Sequence, residues 1–95
     1  MVGYWISVYE KIEDMEALKK YAVKATAAIS KYSGKFLVRG GKSITLEVNQ
    51  SPRTVIVEFP SFSDAEKCYN SKEYQQAWSL AKSSTDRNLQ VIEGV

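Results

Sequence analysis

The feature that most constrains the fold is the order in which strand-like and helix-like hydrophobic patterns follow one another along the chain. Four short segments rich in β-branched and aromatic residues are typical of strands: residues 4–9 (YWISVY), 35–39 (KFLVR), 54–59 (TVIVEF) and 89–93 (LQVIE). Between the first two, apolar residues recur at steps of three and four, which predicts a helix with one apolar stripe. That stripe consists of Leu18, Tyr21, Ala22, Ala25, Ile29 and Tyr32.

Residues with capping chemistry indicate where the helices begin and end. Asp14 is the predicted N-cap of the first helix, and Gly34 marks its end. Ser63 and Glu66 have the spacing of a capping box and predict the start of a second helix. Ser71 is predicted to cap a further turn or a restart, because apolar residues follow it at helical spacing: Tyr74, Ala77, Trp78 and Ala81.

One further segment, residues 43–48 (SITLEV), alternates strictly between polar and apolar side chains. Ile44, Leu46 and Val48 occupy every second position. This pattern predicts a strand or hairpin arm with one face exposed to water.

The resulting β-α-β-β-α-β order predicts an α+β, ferredoxin-like sandwich, with a four-stranded antiparallel sheet and both helices on one face. The length of 95 residues fits a single domain over residues 1–95. By alternation, we expect one sheet face to contact the helices with Tyr4, Ile6, Val8, Phe36, Val38, Val55, Val57 and Phe59. The opposite face then carries Trp5, Ser7, Tyr9, Leu37, Arg39, Ile56 and Glu58.

That opposite face is too apolar for a surface exposed to water. Trp5, Leu37 and Ile56 would form an exposed patch of the kind that marks an interface. We therefore expect a homodimer in which the sheet of a second copy packs against this face.

Four short blocks resemble a known family in order and spacing: GYW (3–5), FLVRGG (36–41), VEFPSF (57–62) and YNSKEYQ (69–75). The chain resembles the domain-of-unknown-function family 1330 over nearly its whole length. The resemblance implies the dimeric α+β barrel superfamily, which includes cofactor-free monooxygenases, muconolactone-isomerase-like enzymes, haem-degrading proteins and effector-binding domains. It implies a small-molecule-binding protein or a cofactor-free enzyme of monooxygenase or isomerase type. The alternative is a non-catalytic effector-binding or stress-related dimeric module.

Composition argues against several other classes of function. The 13 basic and 11 acidic residues are scattered, which does not predict a nucleic-acid partner. An RNA-recognition motif has the same element order, but its base-stacking positions would be Thr54 and Ile56, which cannot stack bases. No apolar run has the length of about 20 residues that a membrane helix needs. The chain has no histidine and one cysteine, so we predict no metal, no haem and no other cofactor.

The lone Cys68 cannot form an internal disulfide, which favours a reducing, cytoplasmic location. It falls within a predicted helix with no histidine to activate it. We therefore expect a buried, unreactive thiol.

Arg39 and Glu58 are the candidate catalytic residues, because alternation assigns both to the dimer face. They could form an ion pair that fixes strand order and dimer register. Arg39 could instead line a cavity and hold the carboxylate or enolate of a substrate, with Glu58 as a general base. A third possibility is a solvated arginine at the barrel rim.

Four further residues are candidate ligand contacts: Trp5, Tyr9, Asn70 and Tyr74. Trp5 would supply an apolar wall, while Asn70 and Tyr74 would supply hydrogen bonds to a small aromatic or carboxylic acid. A purely structural role is also open, in which Asn70 ends one helix, Ser71 caps the next, and the aromatic rings pack in the core.

Overall fold

A computed structural model describes residues 1–95 and confirms the ferredoxin-like arrangement. The strands are β1 (Gly3–Ile12), β2 (Lys35–Arg39), β3 (Arg53–Phe59) and β4 (Thr85–Glu93); the helices are α1 (Met15–Lys31), α2 (Phe62–Asn70) and α3 (Lys72–Ser79), with a short 3-10 turn at Lys82–Ser84. The sheet is antiparallel throughout, in the order β2-β3-β1-β4. None of these helices combines the length and apolar character that crossing a bilayer requires.

The helices lie on one face of the sheet, which we call the inner face. Helix α1 packs against α3, and α2 packs over β1. Between these two layers lies the core, in which the largest fully buried side chains are Tyr74, Phe59, Val57 and Cys68. The other side of the sheet, which we call the open face, has no covering layer.

The predicted caps are confirmed for α1 and α3 but not for α2. The Asp14 carboxylate accepts a hydrogen bond from the Ala17 N–H, and the Ser71 hydroxyl accepts one from the Tyr74 N–H. Helix α2 is capped by Ser61 rather than Ser63: its hydroxyl accepts from the Asp64 N–H at 3.0 Å and donates to the Asp64 carboxylate at 2.9 Å. Asp64, rather than the predicted Glu66, is therefore the acidic partner of this cap.

The prediction of which β1 residues face the helices is wrong. Trp5, Ser7 and Tyr9 are the inner residues, each no more than 3% exposed. The Trp5 indole N–H donates to the Ala65 carbonyl of α2 at 2.8 Å, and its ring packs edge-on to Tyr74. Within β1, alternation separated the two sets of side chains correctly, but the set of Tyr4, Ile6 and Val8 does not share a face with Val55, Val57 and Phe59 of β3 as predicted. Alternation could not assign their faces, because bulky rings whose polar ends find partners fill the wide gap between sheet and helices better than Ile6 and Val8 do.

A bulge in β2 places Arg39 on the inner face as well. Phe36 pairs with Val57, but Val38 pairs with Ile56, so Leu37 is an extra residue in the ladder. One extra residue reverses the facing of everything after it. Arg39 therefore points toward the helices, while Val38 joins the open face.

The open face carries an apolar surface with different members from those predicted. Ile56 belongs to it as expected, whereas Trp5 does not, and Leu37 lies 47% exposed at the bulge. From the register, the open face includes Tyr4, Ile6, Val8, Lys35, Val38, Thr54, Ile56, Glu58, Asn88, Gln90 and Ile92.

The strand predicted at residues 43–48 is not formed. Residues 41–50 have no regular structure and are all exposed. A strand needs the hydrogen bonds of a neighbouring strand, and this segment pairs with no other part of the chain. Within one copy of the protein, the alternating pattern of this segment therefore does not correspond to a strand.

Two adjacent residues after α1 should respond oppositely to substitution. Ser33 has a left-handed backbone (φ 61°), whereas Gly34 leaves no room for a side chain: a Cβ there would overlap Ile29 Cγ2 and lie 2.9 Å from Phe59 Cε1. Gly34→Ala should destabilise the protein by about 1–3 kcal/mol through overpacking. Ser33→Gly should be neutral or stabilising by up to about 1 kcal/mol, because glycine adopts positive φ freely. Urea unfolding measures both, and a loss at Ser33→Gly as large as that at Gly34→Ala would contradict this packing.

Candidate functional site

Strand register brings three arginines to the inner face, near one end of the sheet. Arg53 of β3 and Arg87 of β4 both pair with Tyr9 of β1, so the three residues form one row across the sheet. Arg39 and Ser7 both pair with Val55 in the next row. Directly opposed side chains in such rows have Cβ atoms about 4.5–5.5 Å apart, so these polar groups share one small region.

A cavity of about 40 Å³ lies between these rows and helix α1. It is lined by 15 residues, which include Ser7, Tyr9, Tyr21 and all three arginines. Its more exposed side is formed by Thr26 and Arg39, whose guanidinium donates to the Thr26 hydroxyl and stacks on Phe36. Pockets for whole drug-sized ligands hold roughly 300–1,000 Å³. This cavity is therefore the size of one small polar group, such as a carboxylate.

Arg87 is the centre of the polar cluster at the inner end of the cavity. Its Nη1 donates to the Tyr21 hydroxyl at 3.1 Å and to the Tyr9 hydroxyl at 3.4 Å, and its Nη2 donates to the Tyr74 hydroxyl. Its guanidinium carbon lies 3.5 Å from the centre of the Trp78 ring. These contacts fix the orientation of a charge that stays positive at any physiological pH.

No carboxylate neutralises these arginines. The three ion pairs of the structure are formed by Lys11, Lys19 and Lys31 on the surface. None of the residues that line the cavity is Asp or Glu. Arg39 is exposed, but Arg53 and Arg87 are partly buried, and taking their positive charge out of water without a counter-charge is costly, so the cavity favours the entry of an anion.

The hydroxyl groups around the cavity have more hydrogens to donate than the protein has acceptors for them. Tyr21 and Tyr74 lie 2.7 Å apart, so one phenol donates to the other and one phenol hydrogen is left over. Tyr9 accepts from Arg87 and makes no hydrogen bond as a donor. The buried Ser7 hydroxyl has no partner at all. An occupant that accepts hydrogen bonds would satisfy these groups.

Both phenols of the Tyr21–Tyr74 pair keep their protons well above neutral pH. Burial raises the pKa of Tyr74 far above its usual range, and burial also raises the pKa of Tyr21 despite the nearby Arg87 charge. They can therefore act as hydrogen-bond donors but not as general bases at neutral pH.

A family model matches the chain over residues 2–95, and it is described as a domain of unknown function, DUF1330. The chain belongs to the DUF1330 family. No curated protein sequence matches it.

Solved structures similar to this DUF1330 chain share its fold at low sequence identity. A protein of unknown function from Rhodopseudomonas palustris, RPA0582, is 14% identical, with a TM-score of 0.79 over 99% of this chain and 82% of that one. A dimeric ferredoxin-like protein of unknown function from Jannaschia sp. CCS1 is 11% identical, with a TM-score of 0.78 over 99% of this chain and 100% of that one. A mutant form of SnoaB from Streptomyces nogalater, described as a cofactor-independent oxygenase, is 3% identical, with a TM-score of 0.65 over 98% of this chain and 92% of that one.

The DUF1330 structure brings some of the predicted site residues together and separates others. Trp5, Tyr9 and Arg39 line the cavity, and Tyr74 lies behind it within the Arg87 cluster. Asn70 is exposed at the end of α2 and takes no part, which matches the structural role left open for it.

The predicted ion pair of Arg39 with Glu58 is wrong. The β2 bulge places Arg39 on the inner face, where it bonds to Thr26, while Glu58 lies on the open face and accepts from the Tyr4 hydroxyl at 3.5 Å. Glu58 therefore lies on the opposite face of the sheet from the cavity and cannot act as a base there.

Four residues at the cavity are not among the predicted site residues: Ser7, Tyr21, Arg53 and Arg87. Arg87 had a readable signal, because the alternation of Leu89 and Val91 continues backward through Arg87 to Thr85. The last strand was predicted to begin at residue 89, which left Arg87 outside it, whereas β4 begins at Thr85. For Tyr21, the helical stripe was correctly identified, but nothing in the pattern distinguishes a core phenol from one that borders a cavity.

Cys68 is buried as predicted and lies outside the cavity. Burial, followed by the negative charge of Glu73, raises the pKa of its thiol to about 12. A thiol of this kind is a packing group rather than a nucleophile.

The buried phenols predict a loss of stability at alkaline pH. Because the pKa values of Tyr21 and Tyr74 are raised by folding, the folded protein retains protons that the unfolded chain releases above about pH 10. Their contribution is complete below that pH and declines as pH rises further. Tyrosinate absorbance of the native protein should lag behind that of the urea-unfolded protein. The lag should shrink in Tyr21→Phe, and an unchanged lag there would contradict this assignment.

Proposed function

We propose that this protein binds a small molecule and holds its anionic group in the cavity between the sheet and α1. The single observation that carries the proposal is the uncompensated positive charge of the cavity: Arg39, Arg53 and Arg87 line it together with the unpartnered Ser7 hydroxyl, and no carboxylate is present. An anion with two or more acceptor oxygens matches this lining in charge and in hydrogen bonding. A carboxylic acid that is ionised at neutral pH fits best.

The size of the cavity sets where the rest of the ligand lies. About 40 Å³ accommodates the acid group alone. The remainder of the ligand would lie at the mouth beside Thr26, Phe36 and Arg39. The Phe36 ring and the stacked Arg39 guanidinium provide a flat surface there, which favours an aromatic or other planar body.

We further propose that the protein works as a homodimer joined through the open face. The apolar side chains of that face, among them Ile6, Val8 and Ile56, support this proposal. Two of the similar solved proteins, from Jannaschia and Bacteroides fragilis, are described as dimeric with a ferredoxin-like fold. Packing of two such faces would remove an apolar surface that a single copy exposes.

A second candidate function is a cofactor-free enzyme that acts on the bound anion. The similarity to SnoaB, described as a cofactor-independent oxygenase, favours this possibility. Fixed donors around Arg87 would stabilise negative charge that develops on a substrate oxygen. An isomerase that abstracts a proton is disfavoured, because the cavity lining contains no Asp, Glu or His to accept it. The same cavity could also serve a binding module that performs no chemistry.

Benzoate and benzamide form a matched pair of probes for the proposal. They have the same shape, but only benzoate is charged. At ten times its Kd, benzoate should stabilise the folded protein by about 1.4 kcal/mol and raise Tm by roughly 5–10 °C. Benzamide should have little effect, and Arg53→Gln should weaken the benzoate response. Differential scanning calorimetry gives these shifts; equal responses to the two probes would count against an anion site.

A further inference from the structure

The segment of residues 41–50, which we call the arm, leaves the sheet after β2 and returns at β3 with its apolar side chains facing outward. Ile44, Leu46 and Val48 are 80%, 83% and 94% exposed. They occupy alternate positions, so in an extended chain they project from the same side. A row of three nearly fully exposed aliphatic side chains is unusual in a chain whose remaining large aliphatic residues mostly pack.

The backbone of the arm is as poorly satisfied as its side chains. No residue between 41 and 50 takes part in a backbone–backbone hydrogen bond. The last such bond that precedes the arm is donated by the Gly40 N–H to the Thr54 carbonyl. Val48 has a left-handed backbone (φ 63°), which is strongly disfavoured for a β-branched residue. The arm therefore combines strand-like sequence, free backbone donors and acceptors, and local strain.

We propose that the arm becomes a strand on a second copy of this chain, with Ile44, Leu46 and Val48 packed against the partner's sheet. This inference rests on the homodimer proposed above and adds to it a segment outside the open face. Extended segments add to exposed sheet edges through main-chain hydrogen bonds, while alternate side chains provide specificity. Each copy offers two such edges, the outer edges of β2 and β4.

Three observations favour a second copy over an unrelated protein as the occupant. The chain has another apolar surface without a covering layer, the open face, and a second copy packed on that face would also offer its sheet edges to the arm. The Jannaschia protein, which shares this fold over 99% of the chain, is described as dimeric. Glycines at positive φ, Gly40 (72°) and Gly41 (94°), allow the chain to turn away from its own sheet.

The root of the arm also borders the proposed ligand cavity. A Cβ at Gly40 would lie 2.6 Å from Arg53 Nη1, so the first residue after β2 packs directly on a cavity-lining guanidinium. Arg39 immediately precedes it at the mouth. Docking of the arm on the partner would thus hold the two outer arginines in place.

Alternation within the arm provides a matched pair of variants for the test. Ile44→Asp/Leu46→Asp/Val48→Asp places three carboxylates on the apolar row. The control, Ser43→Asp/Thr45→Asp/Asn49→Asp, adds the same charge on the opposite side of the same segment. Multi-angle light scattering at micromolar concentration should show dimers for the parent and the control. The first variant should dissociate, with a dimer Kd raised about 100-fold or more by the loss of buried anchors.

The other possible outcomes distinguish failure of the arm contact from failure of the homodimer. A first variant as dimeric as the parent would refute the arm contact and leave the sheet-face dimer intact. Dissociation of both variants alike would also refute the apolar row as its basis. A monomeric parent would defeat the dimer and the arm together, while the benzoate response would still report separately on the cavity.

Hydrogen exchange of the parent protein tests the same contact without any substitution. Amides of residues 43–48 should be protected at concentrations where the dimer forms and should exchange rapidly on dilution into the monomer range. Rapid exchange of these amides in a demonstrated dimer would overturn the proposal, even if the first variant failed to fold.

Discussion

The charge of Arg87 is the constraint around which this site is organised. It is held on the inner face by three phenols and the Trp78 ring, with no carboxylate to balance it. Hydrogen bonds to neutral phenols orient a guanidinium but leave its charge uncompensated. The hydroxyl groups of these three tyrosines, Tyr9 and Tyr74 among them, and the Trp78 ring hold that charge at the end of a small cavity. This is the arrangement expected when the counter-charge belongs to a ligand.

Elements and their order could be predicted from the sequence because each depends on local periodicity. The stripe of α1, the caps at Asp14 and Ser71, and the antiparallel sheet all follow from spacing along the chain. The facing of β1 could not be predicted, because both of its sides are apolar enough to be buried. The deciding contact, from the Trp5 indole to the Ala65 carbonyl, joins residues that are 60 positions apart.

The positions of the site residues depend on a strand bulge and on strand register, which the hydrophobic pattern of the sequence does not show. One extra residue in β2 moved Arg39 from the open face to the cavity and removed its expected partner, Glu58. Arg53 and Arg87 meet Tyr9 only through strand register, which no local pattern encodes. The arm shows the opposite case: its alternation predicts a strand that is not formed, because within one copy no strand is available to pair with it.

Replacing Arg87 by methionine tests the central claim most directly, because methionine can retain packing on Trp78 while the charge is removed. If Arg87 is held for a ligand, the free energy of unfolding without added anion should be unchanged or higher, since functional residues are often kept at the expense of stability. The stabilisation by benzoate should disappear in Arg87→Met. Calorimetric unfolding of the parent and variant, with and without benzoate, measures both quantities. Equal stabilisation of the two proteins by benzoate would contradict the account.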